Sequence, residues 1–359
     1  MRFFYFLFFI FFILLLGQSI AQDSLVFNNI VILDANDVES QGKTGTCWSY
    51  ATASFLESEL IRTGKGNYDL SEMFVARQVY IDKANNFFRR HGKTNFGEGS
   101  LSHDLINAID NYGIVPNGIF TGLQNNSTQH DHSELSALLE SYMKTVVKQK
   151  KPSALWLDGY NAILDVYLGK APISFKFQNK EYTPLTFAKY LDFDARDYIN
   201  LTSFIHHDFY DNFILELPDN WSNGSFYNLP IDELFLITKE AVNNGFTVSW
   251  DTDVSNDNFD AKKGIAHCPG DVDQDMRQLH FDNYIVTDDH LMHIVGIVKG
   301  NDGNDYFLVK NSWGTNIGMD QYKGYVMVSE NYFKLNTISI MLHVDGISRK
   351  VLKKLNYKK

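Results

Sequence analysis

The spacing of hydrophobic residues predicts a helical first part of the chain. After Cys47, apolar side chains recur at the three- and four-residue intervals of one helix face, at Trp48, Ala51, Phe55, Leu56 and Leu60. A second helix is predicted over Ser102–Tyr112, because Gly113 supplies a helix-ending signal. Residues 40–123 are therefore predicted to form a helical lobe.

The pattern changes to mixed and then to strand-like along the rest of the chain. Residues 124–230 are polar and aromatic, with a helix predicted over 134–149 and otherwise short helices, turns and loops. A further helix is predicted over 231–244, and strands are predicted over 246–250, 294–298, 306–310, 325–328 and 338–344. A helix-rich part followed by a β-rich lobe over 231–345 predicts an α+β fold, with a cleft between two lobes.

The first residues carry the pattern of a secretory signal peptide. Arg2 precedes an uninterrupted apolar run of about 14 residues, shorter than the roughly 20 that a membrane-spanning helix needs. Ser19 and Ala21 then provide small residues at −3 and −1 of a cleavage after Ala21. We predict a signal peptide over 1–21, a secreted or periplasmic mature chain over 22–359 and no stable membrane span; an uncleaved anchor is the alternative.

Composition and charge narrow the classes of function. Hydrophobic residues make up 44% and charged residues 21%, which is typical of a globular protein and not of a disordered one. The net charge of −11 repels phosphate backbones, so we predict no nucleic-acid partner. Cys47 and Cys268 are the only two cysteines, which excludes a disulfide framework but leaves a single cross-link open. If Cys47 is free, reactivity is the expected reason for its presence.

Cys47 stands where a glycine-containing loop becomes a helix. The partial positive charge at a helix N-terminus favours thiolate over thiol, so we expect a lowered pKa for Cys47. The free N–H groups of the first helical turn could also donate to an oxyanion, and the side chain of Gln41 could add a second donor. This position predicts a nucleophile rather than a structural cysteine.

A thiol nucleophile needs a base, and the base needs an orienting group. His290 precedes one predicted strand of a hairpin and Asn311 follows the other, so both come to one end of the sheet. His293 lies three residues further on and points to the opposite strand face, so we predict that it is a packed or surface histidine. Imidazole and amide are thus predicted to meet beside the thiol.

These segments resemble the motifs of papain-like cysteine peptidases. The resemblance rests on Gln41-Gly42-x-x-Gly45-x-Cys47-Trp48-Ser49, on His290 followed by Gly296, on Asn311-Ser312-Trp313-Gly314 and on Lys323-Gly324-Tyr325. It implies Cys47 as nucleophile, His290 as base and then acid, Asn311 as the group that orients His290, and Gln41 in the oxyanion hole. It also implies that Trp313 shields the Asn311–His290 bond and that Gly99 and Ser100 bind the substrate backbone. Neither a cofactor nor a metal is implied.

Several features differ from papain itself and are similar to those of the branch of bleomycin hydrolase and bacterial aminopeptidase C. Thr44 replaces the cysteine that papain has there, and only a short segment separates Cys47 from the predicted cleavage site. His290 follows Cys47 by about 240 residues, against roughly 130–150 in the papain pattern, which makes 124–230 an insertion. The implied fold has two lobes, the implied partners are peptide or protein substrates, and homo-oligomerisation is left open.

The C-terminal tail over 346–359 leaves the type of peptidase open. In the aminopeptidase branch a longer tail places its carboxylate in the cleft, whereas this basic tail is short and is predicted to be a solvated helix face. We therefore predict an aminopeptidase-like cysteine peptidase, with an endopeptidase or a non-catalytic peptide-binding protein as alternatives. Acyl transfer of the transglutaminase type is disfavoured because that class has an aspartate in place of Asn311.

The remaining histidines and the second cysteine receive structural predictions. Cys268 with His267 lacks the further ligands of a zinc site, so we expect a structural cysteine. His206-His207 and His130-Asp131-His132 are predicted to lie in solvated loops rather than to bind metal.

Overall fold

A computed structural model of the chain describes residues 25–358. The predicted signal peptide lies outside the described residues. The helices longer than one turn are α1 (Cys47–Arg62), α2 (Glu72–Arg89), α3 (Ser102–Tyr112), α4 (Ser133–Val147), α5 (Trp156–Tyr167), α6 (Pro184–Tyr190), α7 (Ile231–Asn243), α8 (Gln274–Asp282), α9 (Glu330–Asn336) and α10 (Arg349–Lys354). Within the described range, no helix combines the length and the apolar character that crossing a bilayer requires.

The strands form one large sheet and a separate hairpin. They are β1 (Phe27–Ile32), β2 (Phe175–Phe177), β3 (Lys180–Tyr182), β4 (Tyr198–Thr202), β5 (Asn212–Ile214), β6 (Ser225–Asn228), β7 (Val248–Thr252), β8 (Phe259–Asp260), β9 (Ile265–Ala266), β10 (His290–Gly300), β11 (Asp305–Lys310), β12 (Tyr325–Ser329) and β13 (Thr337–His343). The large sheet has the order β5-β6-β4-β13-β7-β10-β11-β12-β9-β8, with β1 paired to β10, and β2 and β3 form the hairpin. This mixed architecture is the α+β, papain-like fold.

Two large hydrophobic cores pack against the large sheet, and alternate residues of β10 and β13 contribute to one or the other. One core unites α1, α2 and α3 with the helices that follow them, and its largest buried side chains include Trp48 and Phe55. The other fills the space between the sheet and α7, α9 and α10, around Trp250 and Phe333. Burial of these aromatic groups supplies the main driving force for both halves. Strand β10 is almost wholly buried, so the position of His290 at its start is held firmly.

The hydrophobic pattern predicted the elements around the candidate site closely. Helix α3 has the predicted bounds, α7 lies within one residue of the helix predicted over 231–244, and the β10–β11 hairpin lies where the β-branched run placed it. The region 124–230 differs from the prediction of short helices and loops, because β4, β5 and β6 join the main sheet through β13. These strands are short and their pairing partner lies far along the chain, so local patterning did not reveal them.

Candidate active site

The loop before Cys47 is fixed by hydrogen bonds on both sides. The Thr44 hydroxyl donates to the Gln41 carbonyl over 2.9 Å, and the Gly45 N–H donates to Glu98 Oε2 over 2.8 Å. Helix α1 then begins at Cys47, so the Cys47 N–H has no acceptor within the helix. The sequence places the thiol and a free backbone donor at the same point.

His290 and Asn311 meet at one end of the β10–β11 hairpin. His290 Nε2 lies 2.8 Å from Asn311 Oδ1, and that amide oxygen also accepts from the Ser312 N–H over 2.7 Å. Because Oδ1 is held as an acceptor, the proton of a neutral His290 is assigned to Nε2. Nδ1 is then the unprotonated nitrogen, which is the form required of a base.

The Cys47 thiol lies against the start of β10. The backbone N–H groups of Leu291 and Trp48 lie near its sulfur and favour the thiolate form, which lowers the thiol pKa against the larger effect of burial. Leu291 directly follows His290, so the structure brings the predicted nucleophile to the strand end that carries the predicted base. Cys47 is 8% exposed and His290 is 3% exposed, which keeps water away from both groups.

Burial, not the helix N-terminus, dominates the titration of these groups. The expected lowering of the Cys47 pKa is wrong for this structure, because burial raises the pKa of the thiol to about 12. Burial likewise lowers the pKa of His290 to about 4, against the smaller raising effect of the Asn311 hydrogen bond. The resting pair is thus neutral at pH 7, and the charged pair forms when proton transfer places the two opposite charges side by side.

Gln41 connects the nucleophile loop to the segment that carries Asn311. Its Oε1 accepts from the Ser312 hydroxyl over 2.6 Å, and its backbone N–H donates to the Ser312 carbonyl over 2.9 Å. Gln41 Nε2 donates one hydrogen to the Thr44 carbonyl over 2.7 Å. An amide nitrogen carries two hydrogens, so the second is available to an oxyanion beside Cys47.

Trp313 packs over the base. The centroids of the Trp313 and His290 rings are 4.5 Å apart, with 30° between the planes. Backbone pairing of Ser40 with Trp313 fixes the indole there. The indole therefore lies against the ring of the predicted base, and its shielding of the His290–Asn311 hydrogen bond stays a prediction.

Gly99 and Ser100 are covered by a loop from the 124–230 region. Lys83 Nζ donates to the Gly99 carbonyl, and the Ser100 hydroxyl accepts from Trp221 Nε1 over 2.7 Å. A side chain on Gly99 would collide with the carboxylate of Asp219, so this carboxylate lies directly on the Gly99 backbone. Binding of substrate backbone by Gly99 and Ser100 stays a prediction.

The sequence did not predict that Lys83, Asp219 and Trp221 contact Gly99 and Ser100. Asp219 and Trp221 lie in the loop between β5 and β6, and Lys83 lies on α2 with 1% of its surface exposed. A lysine in the buried stripe of α2 was the signal available in the sequence, because such a residue needs a partner. The Asp219–Gly99 contact has no signal in local patterning.

His293 is a packed histidine, as predicted. It is fully buried, and its Nδ1 lies 3.0 Å from the Ser54 hydroxyl of α1. Lys310 Nζ donates to the same hydroxyl over 2.9 Å. These contacts join α1 to β10 and β11 behind the catalytic groups.

The segment His130-Asp131-His132 corrects a prediction. It does not form a solvated loop, because His132 is 3% exposed and its Nδ1 lies 3.2 Å from the Tyr80 hydroxyl. The backbone of the segment pairs with Lys43, through Lys43 N–H to His130 O and His132 N–H to Lys43 O. The segment therefore supports the nucleophile loop.

His206 and His207 both contact Glu216, and the donor atoms of the three residues lie within 4.8 Å of one another. Gln278 Oε1 accepts from the Ile205 N–H, so Gln278 Nε2 donates to His206 Nδ1 over 3.0 Å. The proton of a neutral His206 is then on Nε2, facing Glu216. This arrangement favours a hydrogen-bonded cluster over a metal site.

Both cysteines are free thiols, so the cross-link left open by the sequence is not formed. Cys268 is 6% exposed and belongs to the core beneath the sheet, which agrees with a structural role.

The C-terminal tail docks away from the cleft. Val351 and Leu355 pack into the core beneath the sheet, and the Tyr357 ring lies 5.9 Å from that of Tyr227 on β6. From β6 to β10 the sheet order is β6-β4-β13-β7-β10, and four spacings of about 4.8 Å amount to roughly 19 Å. The tail as far as residue 358 therefore contributes no group to the site. Its lysines point outward, with Lys354 on Glu233, as a solvated helix face requires.

Comparisons with known proteins agree with this geometry. The model of the Peptidase C1-like family matches residues 13–359. Aminopeptidase G of Lactobacillus delbrueckii subsp. lactis is 24% identical, over 88% of this chain and 83% of the relative. Aminopeptidase C of Listeria innocua is also 24% identical, over 91% of this chain and 84% of the relative.

A solved structure shows the same fold. The crystal structure of PepW from Lactobacillus rhamnosis superposes with a TM-score of 0.73 at 20% identity, covering 92% of this chain and 84% of that one. Together with the match of the family model over nearly the whole sequence, this establishes that the chain belongs to the Peptidase C1-like family and is a papain-like cysteine peptidase of the bleomycin hydrolase and aminopeptidase C branch.

Proposed function

We propose that this protein is an aminopeptidase-like cysteine peptidase that acts through Cys47, His290, Asn311 and Gln41. The observation that carries the proposal is the 2.8 Å bond from His290 Nε2 to Asn311 Oδ1, at the strand end where the Leu291 N–H lies near the Cys47 sulfur. This arrangement supports a base held by its orienting group, with the nucleophile beside the residue that follows the base.

The proposed reaction begins with proton transfer from the Cys47 thiol to His290 Nδ1. The sulfur attacks the carbonyl carbon of the scissile bond, and the resulting oxyanion accepts hydrogen bonds from the Cys47 N–H and the Gln41 amide. His290 then gives its proton to the leaving amine as the C–N bond breaks, which leaves a thioester. Water attacks the thioester with His290 again as base, releasing the acid and restoring the thiol.

Aminopeptidase action is proposed because the relatives are named aminopeptidases and one end of the cleft is covered. In this protein the cover consists of Asp219 and Trp221 over Gly99 and Ser100. The position of the C-terminal tail favours the second candidate, an endopeptidase, because the described tail leaves the cleft free.

The test uses residues 22–359 under reducing conditions and one peptide in two forms, with a free and with an acetylated amino end. Mass spectrometry of the products is expected to show stepwise loss of residues from the free form only. Internal cuts in both forms would establish the endopeptidase instead. No cutting of either form, together with a Cys47 thiol that does not react with epoxides, would leave the non-catalytic peptide-binding protein.

Matched variants test the assigned roles. Cys47→Ala is expected to abolish turnover, whereas Cys268→Ala retains it, because Cys268 lies in the core. His290→Ala is expected to lower kcat by about 10²–10⁴-fold, the range of general acid–base catalysis. Loss of turnover in His293→Ala but not in His290→Ala would show that the base has been assigned to the wrong histidine.

We also propose that residues 1–21 direct export of the chain. Support comes from the short apolar run after Arg2 and from the small residues before position 22. Expression of the full chain with its own N-terminus, followed by mass measurement of the exported product, is expected to give a chain that begins at Gln22. Retention of the intact chain in the membrane fraction would favour the uncleaved anchor.

A further inference from the structure

A cavity of about 440 Å³ opens beside the candidate active site. Its wall includes Asp288, two residues before His290, and Asp219, whose carboxylate lies on the Gly99 backbone. The cavity therefore adjoins both the predicted base and the predicted substrate-binding segment. A group bound in it would belong to the residues of a substrate on the acyl side of the scissile bond.

The lining of this cavity has the charge of a cation site. It contains four carboxylates, from Glu216, Asp219, Asp282 and Asp288, and no lysine, arginine or histidine. Two of these carboxylates already have local partners, since Glu216 contacts His206 and His207 and Asp282 accepts from Gln278 Nε2. The contacts of Asp219 and Asp288 decide which of these two remaining carboxylates can face a ligand.

The orientation of Asp219 is fixed from one side. Asn95 Nδ2 donates to Asp219 Oδ1 over 2.7 Å, while the other oxygen of the carboxylate is directed at Gly99. Lys83 raises the local positive potential, but its Nζ donates to the Gly99 carbonyl and lies over the Trp221 ring. Lys83 lowers the pKa of the Asp219 carboxyl, and Asp104 has the opposite effect on that pKa. A carboxylate oxygen thus stays available at the covered end of the cleft.

Asp288 lies in the same wall, but its carboxyl group is paired with another acidic residue. Asp288 Oδ2 and Asp251 Oδ1 are both buried, and in the described part of the chain no backbone or other side-chain group donates to either oxygen. The two carboxyl groups interact with each other, so a single shared proton is what connects them. Asp288 therefore has its partner in Asp251, and Asp219 is the carboxylate left to face a ligand in the cavity.

We propose that Asp219 is a specificity-determining residue that binds the α-ammonium group of the substrate. The inference rests on the peptidase function proposed above. An α-amino group is protonated at pH 7, since its usual pKa is about 7.7–8.0. The loop that carries Asp219 also blocks extension of a peptide past Gly99, so the same residue would recognise the chain end and stop longer binding.

The first experiment measures kcat/KM for a leucyl peptide with a free amino end and for its acetylated form. Asp219→Asn keeps the side-chain shape and is expected to lower kcat/KM for the free form by about 10–100-fold, mainly through KM, without lowering it for the acetylated form. Asp219→Glu keeps the charge and is expected to restore part of the loss. The control is Asp211→Asn, an exposed aspartate of the same inserted region, with less than about twofold change.

Two results would overturn the inference. One is an equal loss of kcat/KM for free and acetylated substrates in Asp219→Asn, which would indicate a structural role. The other appears in a third arm with an acetylated arginyl substrate. If Asp219→Asn affects that substrate and not the free leucyl peptide, the cavity binds a basic side chain and not the chain end.

A binding measurement separates this inference from the proposed chemistry. In the Cys47→Ala protein, calorimetry is expected to show that Asp219→Asn raises the Kd of a free-amino dipeptide by about 10–100-fold and leaves the acetylated dipeptide unchanged. Asp219-dependent binding without turnover by the native chain would contradict only the peptidase function. Turnover without Asp219-dependent binding would contradict only this inference.

Discussion

Two groups of acidic residues flank the proposed catalytic residues, and they differ in how their charges are balanced. Behind α1, Glu39, Glu57 and Glu72 surround Lys310 at a cavity of about 20 Å³, which has room for one or two water molecules. On the other side, Asp219 and Asp288 line the cavity of about 440 Å³. The first group is closed around its own cation, whereas the second opens toward the cleft.

The protonation of the two groups follows from this difference. Burial raises the pKa of Glu57 to about 8 and that of Glu72 well above its ordinary value, so it favours the protonated form of both carboxyls. The Glu57 carboxyl also accepts from the Leu70 N–H over 2.8 Å. Buried acidic residues of the first kind serve the fold, and those of the second kind are positioned for a ligand.

The largest expected effect that sharpens this comparison concerns Lys310. Lys310→Met removes the buried cation of the closed group and the donor to the Ser54 hydroxyl, and it is expected to lower the free energy of unfolding by about 3–5 kcal/mol, the range for removal of one partner of a buried ionic group. Denaturant titration at pH 7 measures this. Lys299→Met is the control, since Lys299 makes a half-exposed ion pair with Asp305 and should change stability by less than about 1 kcal/mol. Equal effects would show that the closed group does not depend on its lysine.

The next effect concerns activity at low pH. Because burial lowers the pKa of His290 to about 4, the base stays neutral from neutral pH down to about that value. We expect kcat/KM for an acetylated or a free-amino substrate to fall about tenfold per pH unit below about pH 4. A pH–rate profile, with folding monitored by circular dichroism, checks this. An acid limb near 6.5 would mean that His290 is accessible to water.

Glu57 gives a smaller effect, on the pH dependence of stability. Its pKa is raised on folding from 4.5 to about 8, so its contribution is fully present below pH 4.5 and is lost as the pH rises through 8. Glu57→Gln cannot ionise, so the difference in unfolding free energy between variant and native protein should shift in favour of the variant by about 1–3 kcal/mol between pH 5 and pH 9. A difference that is constant with pH would contradict this.

The smallest expected effect is that of Asp219→Asn on stability. The carboxylate is partly exposed to the large cavity, and an amide can keep an acceptor for Asn95. The free energy of unfolding, measured by thermal denaturation, is expected to change by less than about 1 kcal/mol, although the affinity for a free-amino substrate changes greatly. A loss as large as that of Lys310→Met would place Asp219 among the structural acidic residues and remove the contrast between the two groups.

The sequence predicted those parts of the site that depend on local order along the chain. Strand β10 and the following turn bring His290 and Asn311 together, and the β-branched run 294–298 with its turn at 302–305 was enough to show this. The position of Cys47 at a helix start followed in the same way from the periodicity after it. These features need only neighbours in sequence or one hairpin.

The sequence did not predict features that depend on distant segments or on burial. Asp219 reaches Gly99 because β4, β5 and β6 join the main sheet, and no pattern near Asp219 indicates that path. The pKa of Cys47 depends on how much water the finished fold excludes, and helix position alone gave the wrong direction. His132 was expected in solvent because its neighbours in sequence are polar. Its contacts are with Tyr80 and Glu98, which lie far from it along the chain.

The bonds between Gln41 and Ser312 have a consequence for the timing of synthesis. These residues are 271 positions apart, so the loop before the nucleophile gains this support only after nearly the whole chain has been made. Contacts of such separation form late, since the intervening chain must first be ordered. A chain in synthesis that already contains Cys47 therefore has no peptidase activity until its C-terminal part has been made and folded. The cell that makes the protein is thus not exposed to the activity of an incomplete chain.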